Sequence, residues 1–150
     1  MLMLLTSQQN MTLSTLCDTI LNCNKKICFT AVINKNGRIL ESKDRYGVIG
    51  CLPIERKEAF FMEYALRQRM RNEFNDDFGS VRYTCAERER EVLFSFPLYD
   101  SLVLVTCCTG VKHASISRKI ISIIDECKAK LDLKTNIEKG LEAQELYYHE

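Results

Sequence analysis

Apolar positions along the chain switch between a helical period of three to four residues and the runs and alternations of strands. Leu13, Leu16, Cys17, Ile20 and Leu21 mark one face of a first helix. Thr12 or Ser14 stands where a cap is needed, and Asn22, Cys23 and Asn24 end the pattern. The β-branched run Ile27–Ile33 predicts a strand apolar on both faces, and the mixed segment Arg38–Ser42 predicts a second. Between them, Asn36-Gly37 supplies the positive φ angles of a tight hairpin turn. The first strand is expected inside a sheet and the second near an edge.

Gly47, Gly50 and Pro53 predict a loop, with Pro53 just before or at the first turn of a helix that reaches about Phe74. Glu55 and Glu58 suit the positive end of that helix, and Arg67, Arg69 and Arg71 suit its negative end. Its apolar side carries two stripes where a surface helix needs one. Ala59, Met62, Leu66 and Met70 form the first, and Phe61, Tyr64, Ala65 and Gln68 lie alongside.

Asn75–Gly79 is expected to break this helix, and a third strand alternates Val81, Tyr83 and Cys85 against Arg82, Thr84 and Glu87. Glu87–Glu91 reads as a charged turn, Val92–Phe96 as a fourth strand, Pro97, Tyr99 and Asp100 as a turn, and Leu102–Cys107 as a fifth strand. The last two strands are apolar on both faces, so the sheet needs helical cover on each side. After Gly110 a final helix is expected from Ala114 or Ser115, with Ile116, Ile120, Ile123, Ile124, Cys127 and Leu131 facing the core. Leu133, Ile137 and Leu141 continue weakly past it, and Gly140 interrupts them. The expected organisation is a flexible segment at 1–11, one domain at 12–132, and a helical extension or tail at 133–150.

Composition leaves that picture standing. A chain of 150 residues that is 46% hydrophobic, with 2 Pro and 6 Gly, is one folded domain rather than a disordered segment. A formal net charge of +1 gives no global field for nucleic acid or an anionic membrane. The apolar start Met1–Leu5 is far short of a membrane span and lacks the basic leader of an export signal, and Met11 is an equally good start for the domain. A cytoplasmic location is expected. The 8 cysteines fall mostly in apolar periodic segments and read as small core residues.

Candidate chemistry is thin. Cys17, Cys23 and Cys28 are too widely spaced for a zinc pair, and the adjacent Cys107 and Cys108 point to opposite faces of a strand. His113 stands near a helix start and His149 near the end of the chain, neither inside a nucleophile motif. The six glycines are scattered, so no loop cradles phosphate. No catalytic residue, metal site or cofactor is expected, and the protein is read as a non-enzyme. The arginines at 67, 69 and 71 read first as complements to the helix dipole.

The resulting fold class is α/β (α+β): a five-stranded antiparallel sheet with helices on both faces, ordered α-β-β-α-β-β-β-α. This order, over Thr12–Leu131, resembles the roadblock or dynein-light-chain family of the profilin-like and longin-like group. Ala31-Val-Ile-Asn-Lys-Asn-Gly37, Ala65-Leu-Arg-Gln-Arg-Met70, and Glu87-Arg88 running into Phe94-Ser-Phe-Pro97 look more specifically like small uncharacterised proteins of ammonia-oxidising archaea. The roadblock resemblance implies a protein-interaction module that forms a homodimer, or a dimer with a paralogue, through its middle helix and neighbouring edge strand. It implies a small GTPase as a further partner, and neither nucleic acid nor a membrane span. Phe61, Tyr64, Ala65, Gln68, Arg82 and Thr84 are the expected interface. The alternative implied by a profilin-like sheet is a small-molecule-binding sensor.

Overall fold

A computed structural model describes the backbone of residues 7–45 and 49–148, and side chains from residue 12 to 133 within that span. The elements are α1 (Ser7–Asn22), β1 (Ile27–Ile33), β2 (Ile39–Asp44), α2 (Ile54–Asn72), α3 (Asn75–Phe78), β3 (Thr84–Glu87), β4 (Val92–Leu98), β5 (Ser101–Cys107) and α4 (His113–Tyr148). The strands form one antiparallel sheet in the order β2-β1-β5-β4-β3. This is the expected five-stranded architecture, with β1 inside and β2 at an edge. Gly47, Met1–Leu5 and His149 lie outside the described residues, as do the side chains of Met11, Ile137 and Leu141.

The two faces of the sheet carry separate cores. Toward α1 and α4 point Ile27 and Val32 of β1, Val92, Phe94, Phe96 and Leu98 of β4, and Val103, Val105 and Cys107 of β5. Leu13, Leu16, Cys17 and Ile20 of α1 and Ile116, Ile120, Ile124 and Cys127 of α4 close over them. Toward α2 point Phe29, Ala31, Ile33, Leu93, Leu102 and Leu104, met by Ile49, Phe61 and Ala65. Each fully buried aliphatic or aromatic side chain contributes about 1.5–3 kcal/mol, so alternate residues of one strand stabilise two different layers.

Where the structure departs from the sequence expectation, the causes are local. Helix α1 begins at Ser7, so Thr12 and Ser14 are helical residues rather than caps; the intervening Gln-Gln-Asn-Met contains no proline or glycine to stop the helix extending backwards. Asn75–Phe78 forms one helical turn rather than a simple break, closed by Gly79 at a φ of 82°. Strand β3 begins at Thr84, not Val81. Its register pairs Thr84 with Ser95, and two steps further it would set Arg82 against Pro97, which has no N–H to donate. Pro97 itself lies within β4, which runs to Leu98. The turn shrinks to Tyr99-Asp100, with Tyr99 at a φ of 53°. Helix α4 begins at His113 and continues as one helix past Gly140.

The β1–β2 turn fixes the height of α2 above the sheet. Gly37 has a φ of 78°, and a Cβ there would lie 2.9 Å from the Met62 backbone. Arg69 adds a tie, its Nη2 donating to the Lys35 carbonyl at 2.7 Å. Held this way, α2 buries Phe61 and Ala65 and leaves Met62, Leu66 and Met70 41%, 48% and 69% exposed. The stripe of Phe61 and Ala65 is therefore core, and that of Met62 is the surplus one.

Two predictions follow from this packing. Phe61→Ala should cost about 3–5 kcal/mol by urea unfolding, while Met62→Ser should stay within about 0.5 kcal/mol; equal losses would show that the two stripes are misassigned. Burial pushes the Cys17 and Cys107 thiols up from 9.0 to about 12, so the folded chain keeps protons that the unfolded chain releases between those values. Their contribution to stability is pH-independent below pH 9.0 and is lost as pH rises through 9.0 toward 12. The thermal midpoint should fall steeply above pH 9.0, and less steeply in a Cys17→Ala, Cys107→Val variant.

Candidate functional site

Helix α2 covers the β1 side of its face of the sheet and leaves the β3 side open. The result is a groove of about 500 Å³ between α2 and the β3–β4 hairpin. Leu93, Thr106, Phe60 and Tyr64 line its depth, and Arg56, Arg67, Arg71 and Arg88 stand around it with Glu63 and Glu91. The helical spacing of Arg56, Phe60, Glu63, Tyr64, Arg67 and Arg71 puts all six on the side of α2 that faces β3. Phe60 packs on Phe61 and Tyr64, at ring-centre distances of 5.5 and 5.1 Å, which fixes the aromatic wall of the groove.

The electrostatics of the groove centre on Tyr64. Burial raises its hydroxyl above the ordinary tyrosine value and Glu63 adds to this, while Arg88, Arg67 and Arg71 pull the other way. Three guanidinium groups from α2 and the hairpin thus converge near one phenol. Arg67 is partly neutralised by Glu63 at 2.7 Å, an exposed pair one helical turn apart that contributes only a few tenths of a kcal/mol. The arginines at 67 and 71, read from sequence as dipole complements, also rim this groove.

The six residues expected at an interface fall in different places. Phe61 and Ala65 are buried under α2 and belong to the chain's own core, because the Gly37 turn sets the helix down on that stripe. Tyr64 and Thr84 both line the groove, and Thr84 is bonded through its hydroxyl to Ser95. Gln68 is half-buried and donates to Asn72 Oδ1 at 2.9 Å. Arg82 is exposed on the opposite side of the sheet, beside Arg118, Asp125 and Glu126 of α4. Of the groove lining, Tyr64 and Thr84 stand among the expected interface residues, while Arg56, Phe60 and Arg88 were missed in sequence; the i, i+4 spacing of Arg56, Phe60 and Tyr64 was the available signal.

A second cluster joins residues that look unrelated along the chain. Cys85 Sγ lies 3.8 Å from His113 Nδ1, and His113 Nε2 lies 3.9 Å from Glu87 Oε1. This orders a thiol, an imidazole and a carboxylate, but burial and then Glu87 raise the Cys85 thiol, which keeps it protonated. Cys85 and Glu87 are exposed at the sheet edge, and the 3.8 and 3.9 Å separations are too long for strong proton transfer. Cys51 is also exposed, so Cys51 and Cys85 depart from the reading of the cysteines as core residues. Among the described residues no group of three or more His, Cys, Asp or Glu is arranged to hold a metal ion, and no helix is long and apolar enough to cross a membrane.

Known structures place this architecture. Myxococcus xanthus MglB superposes with a TM-score of 0.67 at 12% identity, over 87% of this chain and 95% of that one. A roadblock/LC7 domain from Streptomyces avermitilis gives 0.62 at 11% identity, over 79% and 97%. Acanthamoeba castellanii profilin II gives 0.51 at 12%, over 79% and 98%. At such identities the likeness shows the fold alone, and that fold is roadblock-like. No curated protein matches the chain. Residues 11–133 match the family of unknown function DUF6659, and the chain belongs to that family.

Proposed function

We propose that the protein is a non-enzymatic interaction module that dimerises through α2 and β3. The observation that carries this reading is a short strand at a sheet edge, β3, lying beside a groove that the chain's own helix leaves open. An edge strand presents backbone donors and acceptors to a second chain. Antiparallel pairing of β3 with its copy would continue the sheet and bring the second α2 over the groove. Tyr64 and Thr84 would then be covered, and Glu63 of one chain would face the arginines of the other. Met62, Leu66 and Met70 point away from the groove and stay open for a further protein. The roadblock resemblance makes a small GTPase the first partner class to test, and the module a scaffold or regulator of it. Arg82, on the α4 side, is outside this reading.

Sedimentation equilibrium of the wild-type chain should give twice the monomer mass, and Tyr64→Glu or Cys85→Pro, the latter removing an N–H that points out from the sheet edge, should give monomers with unchanged circular dichroism. A monomeric wild type at micromolar concentration, or variants that remain dimeric, would overturn the dimer.

The groove also favours a second reading, a small-molecule sensor. About 500 Å³ with an apolar floor and converging guanidinium groups fits a ligand with an apolar body and an acidic group. A thermal-shift screen of aromatic carboxylates and phosphates should then yield a saturable rise in midpoint that Arg71→Ala reduces. A flat response across the set would leave the groove to the second chain.

A further inference from the structure

We propose that Cys28 and Cys108 form a dithiol site that closes to an intramolecular disulfide when it meets a small disulfide of the glutathione class. Their sulfurs lie 3.4 Å apart, across the end of the β1–β5 ladder and 80 residues apart in sequence.

The backbone holds them there. The β1–β5 register runs Ile27 with Cys107 and then Phe29 with Thr106, so Cys28 is the extra residue of a β-bulge. A bulge takes a side chain out of strict alternation and re-aims it. Ile27 and Cys107 point into the α1–α4 core and Phe29 into the α2 core, while Cys28, although buried, belongs to neither cluster. Its Sγ instead contacts Cys108. Both residues are also tied to one peptide: the Cys108 N–H donates to the Lys26 carbonyl at 2.9 Å, and the Cys28 thiol donates to the same oxygen at 3.5 Å. A disulfide needs its sulfurs at about 2.05 Å, so closure asks for side-chain rotation across roughly 1.4 Å while the ladder stays in place.

Exposure decides the order of events. Cys108 is half-buried and open to solvent; Cys28 is 2% exposed and its thiol is held up by burial. The Cys108 thiolate attacks one sulfur of the incoming disulfide, whose S–S bond breaks and releases one small thiol that takes up a proton. Cys28 then loses its proton to solvent and attacks the Cys108 sulfur of the mixed disulfide, releasing the second small thiol. Two protein thiols are oxidised by two electrons in all, and one small disulfide is reduced to two thiols. The raised Cys28 thiol makes the second step the slow one. The new bond ties the start of β1 to the end of β5 around a loop holding β2, α2, β3 and β4, which restricts the unfolded chain and raises stability.

The test uses the full wild-type chain, equilibrated with glutathione disulfide and glutathione at a series of ratios. Samples are then acid-quenched, alkylated, and digested without reduction for mass spectrometry. The expected product has lost two thiols, contains one linked pair joining Cys28 to Cys108, and melts several degrees higher, returning to the starting midpoint with dithiothreitol. Fragmentation between residues 107 and 108 assigns the sulfur even where a variant folds poorly. Cys108→Ser should abolish the link, and Cys28→Ala should leave Cys108 as a stable glutathione adduct. A wild type in which Cys108 stops at that adduct, or in which Cys28 links to Cys107, would overturn the proposal. So would a linked pair that leaves the midpoint unchanged.

Discussion

The ladder of β1, β5 and β4 is the constraint on which the rest of the molecule depends. Residues on these strands are buried on both faces, so the sheet is stable only if two separate layers of helix close on it. Helices α1 and α4 provide one layer with a shared apolar surface. On the other face α2 works almost alone, and its position is dictated by Gly37 and Arg69 at the β1–β2 turn. Anchored toward that edge, one helix cannot also cover β3. The groove follows from having one helix where the opposite face has two.

That asymmetry explains what was legible in the sequence. Ile27–Ile33 was read to the residue because a continuous β-branched run suits an interior strand, and Asn36-Gly37 marked the hairpin, although Gly37 alone takes the positive φ expected of both residues. Burial on both faces of strands one, four and five gave the two-layer cover. The choice between the two stripes of α2 was not legible. Phe61 with Ala65 and Met62 with Leu66 are equally good apolar faces, and only the contact with the Gly37 turn, a tertiary matter, selects one. The start of β3 escaped for a similar reason, since Arg82 alternates correctly but would meet Pro97 if the ladder continued past Thr84. The Cys28–Cys108 contact depends on a bulge, for which one-strand periodicity gives no sign.

The arginines show how one residue type serves two roles. At the end of α2, Arg69 and Arg71 oppose the helix dipole wherever their side chains point. Arg69 turns toward the β1–β2 hairpin and holds it; Arg71, further round the helix, looks over the groove with Arg67 and Arg88. Dipole complementarity explains their presence on the helix, and only the fold assigns one to structure and the other to the open face.

Tyr99 carries a consequence beyond its turn. A non-glycine residue at a φ of 53° sits in a conformation that costs on the order of 1 kcal/mol, so the β4–β5 turn is held by something outside itself. Its hydroxyl reaches Asp132 and the Lys128 carbonyl, and the Lys128 ammonium stands 5.9 Å from its ring centre. The far half of α4 is therefore part of what keeps the central hairpin closed. Those contacts couple the turn to α4 near Lys128, so their amide protons are expected to exchange as one opening unit rather than separately. A protein that grips α4 beyond the sheet would thus act on the breathing of β4 and β5, two strands with almost no surface of their own to grip.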